Sequence, residues 1–143
     1  MNGNEEVVSR FLEAATTGDV RTFRSLLSPE IDWWIPRAFR ADLEKVTGIP
    51  TPEGESFRGL DSVMGDFLIP VMRRFVPGTA RLTIDDLIGA GEKVAVVAHM
   101  EARLDDGGEY LNNYAFVMTV RDGRIISVRE YLDTLYAVRA LCG

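Results

Sequence analysis

Cysteine and histidine are scarce in this chain of 143 residues, which has one of each. A single cysteine, Cys142, excludes an intrachain disulfide, and a single histidine leaves no ligand spacing typical of zinc sites. We therefore expect no metal and a reducing compartment, which makes the cytoplasm the expected location. A nucleophilic role for Cys142 is disfavoured, because a residue so near the terminus is hard to hold in one geometry.

Long apolar runs, an excess of basic residues and nucleotide-binding motifs are absent as well. No apolar segment approaches the roughly 18 residues of a membrane span, and the acidic first residues carry no export signal. Acidic residues outnumber basic ones by 22 to 16, and the net charge of −6 would repel a nucleic acid. Without a G-x-G-x-x-G, P-loop or H-E-x-x-H pattern, we expect no cofactor, no nucleic acid and no membrane as partners.

The composition and length of the chain indicate one globular domain over residues 1–143. The chain has 46% hydrophobic and 27% charged residues, an ordinary balance for such a domain. At this length, about two thirds of the unfolded surface can be buried, so one well-formed core is expected. No internal repeat, low-complexity tract or linker interrupts the chain.

The first thirty residues predict two helices joined by a tight corner. Apolar residues recur at helical spacing over residues 7–15, and Gly18 follows as a C-terminal stop. Asp19 is then placed to cap a second, shorter helix that ends before Pro29.

A short strand, a loop and a third helix are predicted next. Four of the five residues 31–35 are β-branched or aromatic, which favours a strand. The charged stretch 37–57 contains proline and glycine and predicts a long loop. A third helix is expected to begin near Asp61, and Pro70 should kink or divide it.

The second half of the chain predicts an antiparallel meander. Four β-rich segments lie at about 80–88, 93–104, 109–120 and 124–132, separated by short turns rich in glycine and acidic residues. Two of the segments are well above the usual strand length of about 5–6 residues, and long strands twist and bend. With a short closing helix after them, we predict an α+β fold. A curved antiparallel sheet, made of the short first strand and the meander, packs on about three helices as a cone around a pocket.

This order of elements resembles the nuclear-transport-factor-like superfamily, in the branch that includes SnoaL-like polyketide cyclases, ketosteroid isomerases and limonene epoxide hydrolases. The resemblance covers nearly the whole chain. Its local carriers are Val8-x-x-Phe11 before Thr17-Gly18-Asp19, the stretch Phe57-Arg58-Gly59-Leu60-Asp61, and Asp122-Gly123-Arg124-Ile125 followed by Arg129-Glu130-Tyr131-x-Asp133. The resemblance implies the cone-shaped fold, whereas the function depends on the residues in the pocket.

The segment 93–104 separates its alternate residues into two faces. One face is wholly apolar, and the other changes midway from small apolar residues to the ionisable His99 and Glu101. We expect His99 and Glu101 to point the same way, about 7 Å apart along the strand, and to line the mouth of the cone. The alternative is that their face is the solvated outside of the sheet, with the apolar face beneath the helices.

The resemblance to limonene epoxide hydrolases implies a catalytic role for Glu130. The hydrolase segment Trp-Arg-Asp-Tyr-x-Asp is similar to residues 128–133, which places Glu130 on the catalytic aspartate, and the hydrolase pattern Arg-x-Asp falls on His99-x-Glu101. The implied catalytic set is Glu130 as general base with His99 and Glu101 as proton partners. Burial in an apolar pocket would raise the pKa of this carboxyl group. The alternative is an ion pair between Glu130 and a surface arginine.

Six further residues form the expected ligand-binding set: Asp32, Trp34, Asn112, Tyr114, Phe116 and Val128. Asp32 and Trp34 match hydrolase positions that orient water. Trp34 lacks the amide found at its position, and the alternative is that it packs as an aromatic wall of the pocket. Three of the six alternate on one face of segment 109–120, where Tyr114 is expected to donate a hydrogen bond to a ligand oxygen. Val128 shares the face of Glu130 on the last strand.

This chain lacks catalytic groups that two of these families use, and this limits the activities to be expected. The positions that match the base and oxyanion hole of ketosteroid isomerase hold Ile35, Phe11 and an apolar or aromatic residue near Ala115, which disfavours that chemistry. The epoxide hydrolase set is also incomplete, since His99 replaces its arginine. We expect a cofactor-independent enzyme of the SnoaL-like or epoxide-hydrolase-like type that acts on a small hydrophobic oxygenated molecule.

Two other functions remain open from the sequence. The first is a pocket protein that binds a small ligand without turning it over. The second is an interaction module that forms a homodimer through the outer face and strand edges of the sheet. The apolar face of segment 93–104 would be one source of that dimer surface.

Overall fold

Two helices open the chain, as predicted. In the computed structural model, which describes residues 3–50 and 56–142, α1 spans Gly3–Thr17 and α2 spans Val20–Ser25. Gly18 between them has a φ of 76°, a left-handed conformation that favours glycine. The Asp19 carboxylate accepts a hydrogen bond from the Thr22 N–H at 3.1 Å, so the predicted N-cap of α2 is confirmed.

Strand β1 spans Leu27–Trp34, and a third helix, α3, follows at Arg37–Thr47. The prediction of a loop over residues 37–57 is therefore wrong for this stretch. Pro36 precedes the first turn of α3, Gly48 ends it with a φ of 69°, and the helix buries Phe39 and Leu43 against the core. Residues 51–55 of the predicted loop lie outside the described part of the chain.

The predicted helix near Asp61 is present, but it is divided into three parts. It follows β2, a short strand at Ser56–Arg58 that the sequence did not predict. Its parts are α4 at Leu60–Ser62, a π-helical stretch π1 at Val63–Leu68, and α5 at Ile69–Met72. At the end of π1 the Ile69 N–H donates to the Met64 carbonyl, five residues back, and Pro70 has no N–H to continue the pattern. The boundary between π1 and α5 therefore falls beside Pro70, in the first turn of α5, rather than at the proline itself.

Strands β3 to β6 form the predicted antiparallel meander. They span Arg81–Ala90, Lys93–Arg103, Glu109–Arg121 and Arg124–Leu132, each within two residues of the predicted bounds. A last helical segment follows as α6 at Thr134–Ala137 and π2 at Val138–Cys142. Among the described residues, no helix is both long enough and apolar enough to cross a membrane.

The six strands form one unclosed sheet in the order β2-β1-β6-β5-β4-β3. The sheet is mixed rather than purely antiparallel, because β1 runs parallel to β6 and antiparallel to β2. A long connection through helices and four further strands separates β1 from β6, so no hairpin forces them to be antiparallel. Bulges at residues 84–86 and 119–120 bend the meander. The result is the curved sheet that the sequence predicted.

The inner face of the sheet packs against the helices. On β4 this face is the apolar set Val94, Val96, Ala98, Met100 and Ala102, all buried or partly buried against the core. This set is therefore unavailable as the expected dimer surface, because the helices cover it. Homodimer formation itself stays a prediction.

Arg74 connects the last helical segment to the β4–β5 connection. Its guanidinium donates to the Leu141 carbonyl, its Nε lies 2.9 Å from Asp105 Oδ1, and its Nη2 lies 3.5 Å from Asp106 Oδ2. The Arg74 carbonyl also accepts the Asp105 N–H at 2.8 Å. Leu141 is buried, so these contacts hold the end of the chain against the core.

Replacing Arg74 should release this contact. We expect Arg74→Leu to lower the free energy of unfolding by about 1–2 kcal/mol, because a largely buried cation loses several charge-assisted hydrogen bonds. Urea denaturation measures the change. Arg73→Leu is the matched control, since the Arg73 side chain is exposed and has no hydrogen bond or ion pair within the described residues. Equal destabilisation by the two variants would contradict the assigned role of Arg74.

Candidate functional site

A cavity of about 380 Å³ lies between the inner face of the sheet and the helices. Its volume falls within the range of about 300–1,000 Å³ that is usual for small-molecule sites. Aromatic rings form much of the wall, contributed by Phe11, Phe23, Trp33, Phe67, Phe75 and Phe116. Several of these rings pack on one another: Phe11 and Phe23 stack at 4.4 Å, and Trp33 lies 5.8 Å from Phe67 between ring centroids. The cavity is therefore an apolar site with aromatic walls.

Three of the described residues that line this cavity have titratable side chains: Tyr110, Tyr114 and Glu130. The two tyrosines come from β5, and Glu130 comes from the adjacent β6. Phe116 lies opposite Glu130 in the register of these strands. The titratable groups of the cavity thus lie together on its sheet wall.

Glu130 is buried, with 8% of the residue exposed. Trp33 on the neighbouring β1 donates its indole Nε1–H to Glu130 Oε1 at 2.9 Å. Among the described residues no other group donates to this carboxyl, so Oε2 is available to a molecule in the cavity. The alternative prediction, an ion pair between Glu130 and a surface arginine, is therefore wrong.

Burial raises the pKa of Glu130 from 4.5 to about 7, and the hydrogen bond from Trp33 opposes this rise. The cause is desolvation, since an apolar cavity stabilises the neutral carboxyl relative to the carboxylate. Near neutral pH both protonation states are therefore populated. A group in this condition can accept a proton and return it, which is the requirement for general acid/base catalysis.

The tyrosine hydroxyls form a hydrogen-bonded pair. Tyr110 Oη and Tyr114 Oη lie 2.6 Å apart, and either can be the donor. Asn112 Nδ2 donates to Tyr110 Oη at 2.8 Å and to the Asp133 carbonyl at 3.2 Å. Because two hydroxyls share one hydrogen bond, one O–H remains for another acceptor.

Both tyrosines stay protonated at neutral pH. Burial raises the pKa of Tyr110 to about 12 and the pKa of Tyr114 well above its usual range. Negative charge on Glu130 raises both pKa values further, which reflects its proximity to the pair. The pair is therefore a neutral hydrogen-bond donor beside a carboxyl group.

The structure brings together only part of the predicted site. Glu130, Tyr114 and Phe116 line the cavity as expected, while their predicted roles are untested. Asn112 and Val128 lie on the inner face but behind the wall, where Asn112 holds Tyr110 in place.

His99 and Glu101 do not line the cavity, so their predicted placement is wrong. The apolar residues of β4 face the helices, and strand alternation therefore turns His99 and Glu101 outward. There His99 Nδ1 lies 2.9 Å from Asp85 Oδ2, with the His99 side chain 41% exposed. The alternative of a solvated outer face is the correct one, and the sheet separates both residues from Glu130.

Asp32 and Trp34 also lie on the outer face, contrary to the predicted ligand contacts. Asp32 accepts a hydrogen bond from Ser56 Oγ at 2.6 Å, and the Arg129 guanidinium lies 4.2 Å from the centroid of Trp34. Their orientation follows from Trp33, which occupies the inward position of β1 and is 3% exposed.

Sequence reasoning missed Trp33 and Tyr110 as site residues. Tyr110 has the same strand parity as Asn112 and Tyr114, so the alternation that indicated those two could have included it. For Trp33 the signal was the same alternation, since Trp33 shares the parity of the apolar Ile31 and Ile35. Within residues 3–50 and 56–142, no group of three or more His, Cys, Asp or Glu is placed to hold a metal ion.

Comparison with known proteins agrees with this architecture. Residues 8–128 match the family model described as a SnoaL-like domain, so the chain belongs to the SnoaL-like domain family. The resemblance to the SnoaL-like branch of the nuclear-transport-factor-like superfamily is thereby confirmed. A search of functionally curated proteins gives no match.

Solved structures similar to this chain share its fold. An NTF2-like protein of unknown function from Burkholderia pseudomallei is 22% identical over 100% of both chains, with a TM-score of 0.80. TerC co-crystallized with polyporic acid is 21% identical over 99% of this chain and 98% of its own, with a TM-score of 0.76. A putative SnoaL-like polyketide cyclase from Jannaschia sp. CCS1 is 16% identical over 99% and 92%, with a TM-score of 0.74.

The raised pKa of Glu130 makes stability depend on pH. The unfolded chain releases this proton near pH 4.5 and the folded protein near pH 7, so Glu130 lowers stability progressively as pH rises between them. We expect Glu130→Gln to be more stable than wild type at pH 8, by up to about 3 kcal/mol, and to lose this pH dependence. Urea denaturation across pH 4–8 measures it. Glu101→Gln, at an exposed site, is the control, and a wild-type profile in the Glu130→Gln protein would contradict burial of the charge.

The hydrogen bond from Trp33 should also affect the pKa of Glu130. Trp33→Phe removes the donor that stabilises the carboxylate while keeping an aromatic ring in the wall. We expect the pKa of Glu130 to rise further above 7 in this variant. NMR titration of the Glu130 side-chain carboxyl carbon reports the pKa directly. Trp34→Phe, on the outer face, should leave it unchanged, and an unaltered pKa in Trp33→Phe would show that the indole does not act on this group.

Proposed function

We propose that this protein is an acid/base enzyme that binds a small, largely apolar carbonyl compound in the cavity. In this proposal Glu130 moves a proton at the carbon next to the carbonyl group. The observation that carries the proposal is one buried carboxyl group with a pKa of about 7, facing an apolar cavity beside a neutral tyrosine pair.

The walls support the substrate class. Aromatic rings on both the helices and the sheet favour a planar or ring-containing skeleton, since such rings stack on or pack edge-to-face against aromatic side chains. Few polar groups line the cavity, which favours a ligand with few oxygen atoms. Among proteins with this fold, one was co-crystallized with polyporic acid and another is described as a putative polyketide cyclase. Both descriptions support an oxygenated small molecule as the ligand.

The proposed proton transfer uses two groups. The Glu130 carboxylate, with Oε1 held by Trp33, accepts a proton from the α-carbon through Oε2. Negative charge develops on the carbonyl oxygen, and the free O–H of the Tyr110–Tyr114 pair donates to it. The neutral Glu130 then returns the proton to the same or another carbon. Positioned acid/base groups of this kind contribute about 10²–10⁴-fold to a rate.

Exchange of α-hydrogens tests this reaction without knowledge of the natural substrate. We expect the protein to catalyse hydrogen–deuterium exchange of 2-tetralone in deuterium oxide, followed by proton NMR. The rate should rise with deprotonation of Glu130 and reach half its maximum near pH 7. Glu130→Gln should lower the catalysed rate by about 10²–10⁴-fold.

The matched controls come from the outer face of the sheet. His99→Gln and Glu101→Gln should retain the wild-type exchange rate, because neither side chain reaches the cavity. Exchange by Glu130→Gln as fast as by wild type would contradict the assignment of the base.

A ligand-binding protein without turnover is the second candidate. It is favoured by the walls of the cavity, which are largely apolar and aromatic. Such walls suit the binding of an apolar molecule whether or not a reaction follows. If 2-tetralone binds but exchanges no faster than in buffer, at any pH from 5 to 9, this second candidate replaces the first.

A further inference from the structure

A second apolar groove of about 400 Å³ lies next to the cavity. The two spaces share six wall residues: Ala15, Gly18, Phe23, Met72, Phe75 and Pro77. Beyond this common wall, the groove is bordered by Val20 and Ile69, which are 57% and 39% exposed, while Met72 is 44% exposed. Three large apolar side chains therefore meet solvent where the groove opens.

Arg73 is the one charged side chain among the described residues that line the groove. It is exposed, and within the described residues it has no hydrogen bond or ion pair. The adjacent Arg74, by contrast, is fully used in holding Asp105, Asp106 and Leu141. Asp19 lies beside Gly18 and Val20 in sequence, but its carboxylate is engaged by the Thr22 N–H and is not part of the wall.

We propose that the cavity and the groove together hold one elongated, amphipathic anion. Its apolar skeleton extends from the cavity past Met72, and its carboxylate binds the Arg73 guanidinium in the groove. This inference rests on the proposed function only for the inner end of the ligand, where an oxygen lies beside Glu130. A guanidinium suits a carboxylate because it can donate two parallel hydrogen bonds.

The positions of the charged groups favour a ligand whose carboxylate lies at Arg73 and not at Glu130. A carboxylate next to Glu130 would be repelled by the ionised side chain and would lose its hydration in an apolar wall. At the outer groove it stays near water and meets a cation. A single arginine on a chain with a net charge of −6 does not suit an anionic membrane, whose recognition uses clusters of about four to eight basic residues.

Ligand length and charge test the proposal together. The probes are ω-phenylalkanoates from phenylacetate to phenyldecanoate, each matched by the ω-phenylalkanol of the same length, with binding measured by isothermal titration calorimetry. We expect the longer acids to bind more tightly than their alcohols, and Arg73→Gln to weaken those acids about fivefold. Phenylacetate and all the alcohols should bind Arg73→Gln and wild type equally, because they do not place an anion at Arg73.

Arg124→Gln is the matched control, since it removes the same charge from an exposed site at the β5–β6 turn. Equal affinities of long acids and alcohols for wild type, or equal effects of the two arginine variants, would overturn the proposal. These binding measurements do not depend on turnover. If the protein does not catalyse hydrogen exchange but still binds the long acids more tightly through Arg73, the proposed function is contradicted and this inference is not.

Discussion

The candidate site of this protein depends on the burial of one carboxyl group in an apolar cavity. Glu130 loses the hydration that would stabilise its charge, and a single indole hydrogen bond from Trp33 replaces part of it. Because one hydrogen bond replaces only part of the lost hydration, the neutral and charged forms of Glu130 are close in free energy near neutral pH. This balance requires β1 to lie beside β6, because only then can Trp33 and Glu130 meet on one face of the sheet.

The space around Glu130 exists because the sheet bends away from the helices. Bulges in the meander curve the strands, while the π-helical stretch and Pro70 shape the helical segment above them. Aromatic side chains then cover both sides without filling the centre. Arg74 holds the last residues of the chain against the core, and Leu141 from that segment completes part of the wall. The neighbouring Arg73 carries no such structural contact, which leaves its charge at the outer groove.

Elements formed by local interactions could be predicted, and those decided by distant contacts could not. The Asp19 cap, the Gly18 corner and the bounds of the meander depend on nearby residues, and the structure contains them. Helix α3 was missed because its charged residues and the flanking Pro36 and Gly48 favoured a loop. Its apolar residues Phe39, Leu43 and Val46 do have helical spacing, and they pack against the core. The predicted carboxyl at Glu130 lies in the cavity, whereas Trp33, its hydrogen-bond donor, was overlooked in favour of Trp34.

The sequence alone determined the order of the elements, the strand bounds and which residues share a face, because alternation and turn residues act locally. Only the tertiary structure decided which face is inside. On β4 the apolar set went beneath the helices, since burying it removes the most apolar surface from water, and His99 and Glu101 were turned outward. On β6 the same rule turned Val128 inward and carried Glu130 with it. The candidate base thus owes its burial to the apolar residue two positions before it.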